Sequence, residues 1–175
     1  LPDGSQRQFD NTVTVMEIAE SIGPGLAKAA IAGRVNGELI DTCIPITKNA
    51  DVSIVTSKEE DGIETIRHSF AHLVGHAVKQ LYPEAKMAIG PVIEDGFYYD
   101  ISYKNTFTPT DLQDIEDRIS YLIKKDYEIL VKVVTHEEAL QIFLDRSEKY
   151  KQEILKGIPE NETINLYYHE EYIDM

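Results

Sequence analysis

Three of the chain's five histidines recur at a spacing of four residues, in the segment RHSFAHLVGHA from Arg67 to Ala77. Successive residues of an α-helix rotate by about 100°, so His68, His72 and His76 share one side of a helix, opposite an apolar face. A neutral imidazole can accept a proton, position water or bind a metal near pH 7. The alternative is an ordinary amphipathic helix whose histidines face solvent.

A zinc hydrolase is one chemistry that this spacing suggests, because His68 and His72 stand at i and i+4. The zinc-protease motif has Glu directly after the first His, whereas this chain has Ser69 there. His76 lies about 12 Å from His68 along the helix axis, too far to share a metal with it. A third ligand would have to come from elsewhere, such as His169, and we therefore assign no metal ligands in this chain.

The pattern of helices and strands expected around these residues predicts an α+β fold of two domains. The first, residues 1–57, has the pattern of a small β-rich domain crossed by one helix, and residues 58–62 are a polar linker to a second domain at 63–175. The features expected in the first domain are a turn at Pro2 to Gly4, a strand at 6–9, a helix at 15–22 capped by Thr14 and Glu17, a hairpin at Asn36 and Gly37, and a strand at 51–56.

The second domain is expected to begin with the histidine helix, at about 62–81, and to alternate strands and helices after it. Thr108 before Pro109, and Thr135 before Glu138, have the pattern of helix starts. The expected elements are strands at 88–93 and 96–103, a helix at 109–125, a strand at 127–134, helices at 136–145 and 149–155, and a strand at 163–168.

Composition limits the function classes. The chain has 175 residues, 42% of them hydrophobic, and carries 17 basic against 31 acidic side chains, for a net charge of −14. That charge opposes general nucleic-acid binding, which depends on Lys and Arg. A single cysteine, no long apolar run and no signal-peptide pattern predict a cytoplasmic protein without a disulfide or a membrane partner.

The segment HSFAHLVGHAVKQLYPEAKMAIGPVIEDGFYYDI resembles the start of the editing domain of bacterial threonyl-tRNA synthetases. The segments LPDGSQRQFD, GPGLAKAAIAGRVNGELID and DVSIVT resemble the small ubiquitin-like TGS domain that begins those enzymes, and LYYHEEYIDM resembles the stretch before their CxxxH motif. The resemblance therefore covers essentially the whole chain.

The resemblance implies a ubiquitin-like β-grasp domain followed by a two-layer α+β editing domain with a long central helix. It implies an aminoacyl-tRNA synthetase whose editing domain hydrolyses serine wrongly esterified to tRNA(Thr). Cofactors are expected only in the parent enzyme's catalytic core, which binds ATP and zinc and would follow Met175. The implied partners are the acceptor end of tRNA(Thr) and its aminoacyl ester, and the parent enzyme is expected to be a homodimer.

The resemblance also implies site residues. His68 and His72 match the family's HxxxH motif and would position water or transfer a proton, and Lys151 would contact the ribose or leaving oxygen. Tyr99 matches a wall of the substrate pocket, and Asp174 would contact the substrate ammonium. The family pairs HxxxH with a CxxxH motif expected after Met175, and His76 lies outside the motif as a structural or rim residue.

Two alternatives remain open from the sequence. The chain could belong to a free-standing or alanyl-type editing deacylase, which shares the HxxxH and CxxxH pattern and can bind zinc through it. It could instead be a regulatory or RNA-binding module in which the TGS-like domain matters and the histidines have no catalytic role.

Overall fold

The computed structural model describes residues 4–175, which form two compact units that divide between Arg67 and His68. Helices and strands mix in both units, so the expected α+β class is confirmed. The domain bounds 1–57 and 63–175 stay predictions. Within the described residues, none of the helices is long and apolar enough to cross a membrane.

The first unit is built on a three-stranded antiparallel sheet with β2 between β3 and β5, and a second two-stranded ladder joins β1 to β4. Asn36 and Gly37 form the expected turn between β2 and β3, with φ of 51° and 91°. The elements are β1 (Val13–Thr14), α1 (Val15–Ile22), α2 (Pro24–Ala29), β2 (Ala30–Val35), β3 (Glu38–Asp41), β4 (Pro45–Ile46) and β5 (Val52–Thr56).

Two expectations for the first unit are wrong. Residues 6–9 are exposed and do not form a strand, since the ladder that begins the unit joins Val13 and Thr14 to β4 instead. The expectation of a single helix in this unit is also wrong, because the chain forms α2 directly after α1. Pro24 occupies the first position of this second helix, where its missing N–H is not needed. The expected turn at Pro2 to Gly4 lies partly outside the described residues.

The histidine helix is α3 (Glu60–Leu81), which begins two residues before the expected start. The apolar face of this helix and its histidine face do not have the burial that an amphipathic helix would give them. Ile63, Ile66 and Phe70 of the apolar face are 40 to 44% exposed, whereas His72 and His76 are buried. Other elements of the second unit therefore cover the imidazole side, and the helical pattern alone could not reveal which side that would be.

The second unit has a three-stranded antiparallel sheet in the order β10, β11, β12, against which α5 and α6 pack through Phe143, Leu155 and Leu166. A second core joins α3 to α4 through Ala77, Val78 and Ile119. The elements are β6 (Lys86–Met87), β7 (Val92–Ile93), β8 (Gly96–Phe97), β9 (Ile101–Ser102), α4 (Pro109–Lys125), β10 (Leu130–Thr135), α5 (His136–Asp145), α6 (Lys149–Leu155), β11 (Thr163–His169) and β12 (Tyr172–Asp174).

The three helices after α3 have the bounds that the sequence predicts, and capping boxes at Thr108 and Thr135 explain two of them. The two long strands expected at 88–93 and 96–103 are wrong. They are replaced by two short ladders, β6 with β9 and β7 with β8, in an interrupted hairpin. Strand β12 was not expected from the sequence, yet it carries three buried residues of the candidate site region.

Candidate active site

Lys151 is a buried cation of the second unit, with a side chain only 1% exposed on α6. Its Nζ atom lies 3.1 Å from Glu148 Oε2, 3.0 Å from Asp174 Oδ1 and 2.6 Å from the backbone oxygen of Ile173. An ammonium group has three hydrogens, so these three acceptors satisfy it fully. Arg146 Nε lies 3.0 Å from Glu148 Oε1, which extends the contacts into a series of alternating charges.

Asp174 on β12 accepts four hydrogen bonds. Its Oδ1 atom accepts from Lys151 Nζ and, at 3.0 Å, from the backbone N–H of Met175. Its Oδ2 atom accepts from the hydroxyls of Tyr172 at 2.5 Å and Tyr99 at 3.0 Å. A carboxylate offers about four acceptor positions. A further donor, such as a substrate ammonium, can therefore bind Asp174 only if one of these four gives way.

The charge of Asp174 is stabilised although the side chain is buried. Burial alone would raise its pKa, but the positive charge of Lys151, the neighbouring His72 and hydrogen bonds from Tyr172 and Lys151 lower the pKa to about 2. Burial, together with the negative charge of Asp174, raises the pKa of both Tyr99 and Tyr172 far above 10. At neutral pH the carboxylate is ionised and both hydroxyls remain available as donors.

His72 lies beside this charged cluster and is 5% exposed. Its ring centroid is 4.6 Å from that of His68 and 5.5 Å from those of His169 and Tyr167. Burial lowers the pKa of His72 to about 4 against the opposing effect of Asp174, so the imidazole is neutral at pH 7. His68 is exposed. The two histidines of the HxxxH motif therefore lie in different environments, one open and one enclosed.

His76 and His169 are also buried, and the hydroxyl of Tyr127 lies between them. This hydroxyl is 3.0 Å from His76 Nδ1 and 3.2 Å from His169 Nδ1. The Nε2 atom of His76 lies 3.0 Å from Glu171 Oε1, and the His76 ring stacks on Tyr172 at 5.8 Å. Burial, together with His76, lowers the pKa of His169 to about 4, so its imidazole is neutral at pH 7 as well.

Two glycines leave room for the side chains of Tyr172 and Tyr99, whose hydroxyls bind Asp174. A Cβ atom on Gly75 of α3 would lie 2.3 Å from the Tyr172 hydroxyl oxygen. A Cβ atom on Gly90 would lie 2.9 Å from two ring carbons of Tyr99. Since real Cβ contacts are not that short, both positions require glycine for the tyrosine hydroxyls to reach Asp174.

A metal could find ligand atoms at one place among the described residues, where His76, Glu170 and Glu171 offer atoms within 4.8 Å of one another. These groups already have protein partners. Lys125 Nζ lies 2.5 Å from Glu170 Oε1, and Glu171 accepts from His76. The arrangement is accounted for by these contacts alone, so we assign no metal to it.

The structure brings together most of the residues that the sequence singled out. Lys151, Tyr99 and Asp174 form one hydrogen-bonded cluster and His72 adjoins it, whereas His68 reaches it only through the ring of His72. The roles suggested for these residues stay predictions.

Sequence reasoning missed Glu148 and Tyr172, which belong to this cluster, and Tyr127, which lies between His76 and His169. Glu148 precedes Lys151 by three residues, the spacing of neighbours on a helix, and could have been found by that pairing. Tyr172 precedes Asp174 by two residues, which places both on one face of a strand. No comparable signal connects Tyr127 to the histidines, because it comes from the distant segment before β10.

Known proteins are similar to this chain along its whole length. Residues 1–56 match the family model described as the TGS domain. All 175 residues align at 61% identity with threonine--tRNA ligases of two Prochlorococcus marinus strains, MIT 9211 and MIT 9301. The chain matches the N-terminal part of a threonine--tRNA ligase. It spans 27% of the length of these curated relatives.

The resemblance to threonyl-tRNA synthetases is therefore confirmed over the whole chain. The TGS match covers the part of the chain where the ubiquitin-like domain was expected. The buried cluster of Lys151 and Asp174 lies outside that match, in a part of the chain that the alignment with the threonine--tRNA ligases covers.

Proposed function

We propose that this chain is the N-terminal portion of a threonine--tRNA ligase and that its second unit hydrolyses serine wrongly esterified to tRNA(Thr). The observation that carries the proposal is the neutral, buried imidazole of His72 beside the ionised pair of Lys151 and Asp174. A neutral imidazole can accept a proton from water, and a buried charged pair can orient a polar substrate. The identity with threonine--tRNA ligases over the whole chain supports this assignment over an alanyl-type or free-standing deacylase.

Hydrolysis of an aminoacyl ester requires a positioned water, a site for the substrate ammonium and help for the departing ribose oxygen. Water adds to the ester carbonyl, the bond from the carbonyl carbon to the ribose oxygen breaks, and that oxygen leaves with a proton. We assign the water to His72, aided by His68 at the open side. The rings of the two histidines lie 4.6 Å apart, centroid to centroid.

Lys151 and Asp174 have their hydrogen-bonding capacity filled before substrate binds. For Asp174 to receive the substrate ammonium, one of its four donors must give way, and we assign this to the hydroxyl of Tyr99 or Tyr172. For Lys151 to reach the leaving ribose oxygen, its Nζ must release one of its three acceptors. Substrate binding is thus an exchange of partners within this cluster.

Selectivity between serine and threonine depends on one methyl group. A single methylene changes binding in an apolar pocket by only about 1–3 kcal/mol, which is why a second, hydrolytic selection is useful. In the proposed site the ring of Tyr99 is the wall that excludes the methyl. Its position is fixed by the close packing of Gly90 against the ring.

The parent enzyme would supply the remaining parts of the reaction cycle in the cytoplasm. Its catalytic core would use ATP and zinc to join threonine to tRNA(Thr), and its homodimer would hold the tRNA. The net charge of −14 suits a region that meets only the acceptor end while other parts bind the phosphate backbone.

The experiment is hydrolysis of preformed Ser-tRNA(Thr) by the full-length ligase, comparing His72→Ala with the matched control His136→Ala. His136 bonds to the backbone oxygen of Leu155, not to the cluster. We expect His72→Ala to lower hydrolysis by at least ~100-fold, the lower end of general acid–base contributions, and His136→Ala to leave it nearly unchanged. Threonylation should survive in both variants. Undiminished hydrolysis by His72→Ala would refute the assignment.

A further inference from the structure

A series of hydrogen bonds connects the surface of the second unit to a buried imidazole that the proposed chemistry does not yet use. Its members are Glu171, whose side chain is 62% exposed, then His76, Tyr127 and His169. The successive distances are 3.0 Å from Glu171 Oε1 to His76 Nε2, 3.0 Å from His76 Nδ1 to the Tyr127 hydroxyl and 3.2 Å from that hydroxyl to His169 Nδ1.

The outer member of the series, Glu171, can only accept a hydrogen bond. Burial would raise the pKa of Glu171, but hydrogen bonds from Gln80, its own backbone N–H and His76 lower it to about 2, so the group is a carboxylate at neutral pH. The contact between His76 Nε2 and this carboxylate is a hydrogen bond when Nε2 carries the hydrogen, although the amide nitrogen of Gln80 also lies 3.1 Å from Nε2. Gln80 Nε2 also donates to the same carboxylate oxygen, at 2.6 Å.

The donor in each inner hydrogen bond depends on how many hydrogens the His76 ring carries. If the His76 ring carries only this one hydrogen, its Nδ1 is bare and accepts from the Tyr127 hydroxyl. Tyr127 has one hydrogen, and burial raises its pKa to about 12, so it stays protonated. Its oxygen must then accept from His169 Nδ1–H. In this arrangement His169 Nε2 carries a lone pair and no hydrogen.

The Nε2 atom of His169 is buried and has no hydrogen-bond partner in the part of the chain that the structure describes. His169 Nε2 is the one buried side-chain nitrogen or oxygen among residues 4–175 without a hydrogen-bond partner. Its ring lies 5.5 Å from the ring of His72 and 6.3 Å from that of Tyr172. A buried acceptor without a partner destabilises the fold, and such groups are found where a ligand or water completes them.

We propose that His169 Nε2 accepts a hydrogen bond from the water that attacks the ester, and that Glu171, His76 and Tyr127 are positioning residues that fix His169 in the Nδ1–H tautomer. The inference rests on the proposed editing function and adds to it a second acceptor beside His72. Two neutral imidazoles then hold one water through its two hydrogens, which orients a lone pair of the water oxygen toward the carbonyl carbon.

The test has a structural readout and a kinetic one. The first is the ¹⁵N spectrum of histidine-labelled protein, in which His169 should show a protonated Nδ1 and an unprotonated Nε2. The second is Ser-tRNA(Thr) hydrolysis by the full-length ligase with Tyr127→Phe, compared with Tyr121→Phe, which loses the same hydroxyl at a side chain that is 56% exposed. We expect Tyr127→Phe to abolish the tautomer preference and to lower kcat by about tenfold or more with little change in KM, because orientation of water acts on the chemical step.

Substitutions at His169 separate its two nitrogens. His169→Asn keeps an amide near Nδ1 and should lose hydrolysis, whereas His169→Gln can place an amide oxygen near Nε2 and should retain part of it. A protonated Nε2 in the wild-type spectrum would overturn the inference whether or not the protein hydrolyses Ser-tRNA(Thr). If the wild-type ligase hydrolyses it and Tyr127→Phe changes neither kcat nor the tautomer, the inference fails while the proposed function stands.

Discussion

Lys151 Nζ and Asp174 Oδ1 lie 3.0 Å apart, and the side chains that carry them are only 1% and 8% exposed. The lysine comes from α6 and the aspartate from β12, so this contact connects the helical layer of the second unit to its sheet. A buried charge is tolerated when it is paired and hydrogen-bonded, as both of these are. The proposed site is thus part of the core and cannot be altered without cost to the fold.

Replacing Lys151 by Met should be strongly destabilising at neutral pH. The apolar side chain would leave Asp174 ionised in a buried position without its cation, and breaking one partner of such a pair costs about 3–5 kcal/mol. Since burial raises the pKa of Asp174 and Lys151 lowers it, the pKa of the carboxyl should rise in the variant. Urea unfolding and ¹³C titration of the carboxyl measure the two effects. Equal stability of the variant and the wild type would contradict this account of the pair.

Replacing Gly75 by Ala should displace Tyr172. The added Cβ would lie 2.3 Å from the hydroxyl oxygen, so the tyrosine must move and release Oδ2 of Asp174. Overpacking of this kind costs about 1–3 kcal/mol, measured as the free energy of unfolding in urea. Gly96→Ala is the matched control, since a Cβ there meets nothing within 4 Å. Similar effects of the two substitutions would rule out the proposed role of Gly75.

Replacing Gly90 by Ala should change selectivity more than stability. The new methyl would press on two carbons of the Tyr99 ring at the edge of the hairpin and shift the pocket wall. We expect the ratio of Ser-tRNA to Thr-tRNA hydrolysis by the full-length ligase to fall by about tenfold, the lower end of what a methyl contact discriminates. An unchanged ratio would show that Tyr99 is not the wall that excludes threonine.

Stability should fall as the solution is acidified from about pH 6.5 to pH 4. His72 and His169 have pKa values of about 4 in the folded protein against 6.5 for the free side chain. In this window the unfolded chain binds protons that the folded chain does not, so acidification favours unfolding. Below about pH 4 these two groups add no further loss. Urea midpoints against pH measure the slope, which His72→Gln should reduce; an unaltered slope in that variant would contradict the assignment.

Local sequence signals predicted much of the fold. Capping boxes at Thr108 and Thr135 and the Asn36–Gly37 turn act within a few residues, so they identified the bounds of helices and one hairpin correctly. Strands depend on partners that are distant in sequence. Residues 6–9 have strand-like composition without a strand beside them, and the 88–103 region pairs only in short pieces.

The candidate site was predictable in its residues but not in its environment. The spacing of His68, His72 and His76 placed them on one side of a helix, yet only the packing of the second unit reveals that His76 is more enclosed than His68. The contribution of Tyr127 depends on tertiary contacts alone. Burial, which determines the protonation of His72, could not be read from the periodicity, because two faces of one helix can each be covered.

The measurement that bears most directly on the function is single-turnover hydrolysis of Ser-tRNA(Thr) and Thr-tRNA(Thr) by the full-length ligase at neutral pH. With His72 neutral and Asp174 ionised, we expect the serine ester to be cleaved at least ~10-fold faster than the threonine ester. Asp174→Asn should abolish the faster reaction while threonylation continues. Equal rates for the two esters, or Ser-tRNA hydrolysis unaffected by Asp174→Asn, would contradict the editing role assigned to this chain.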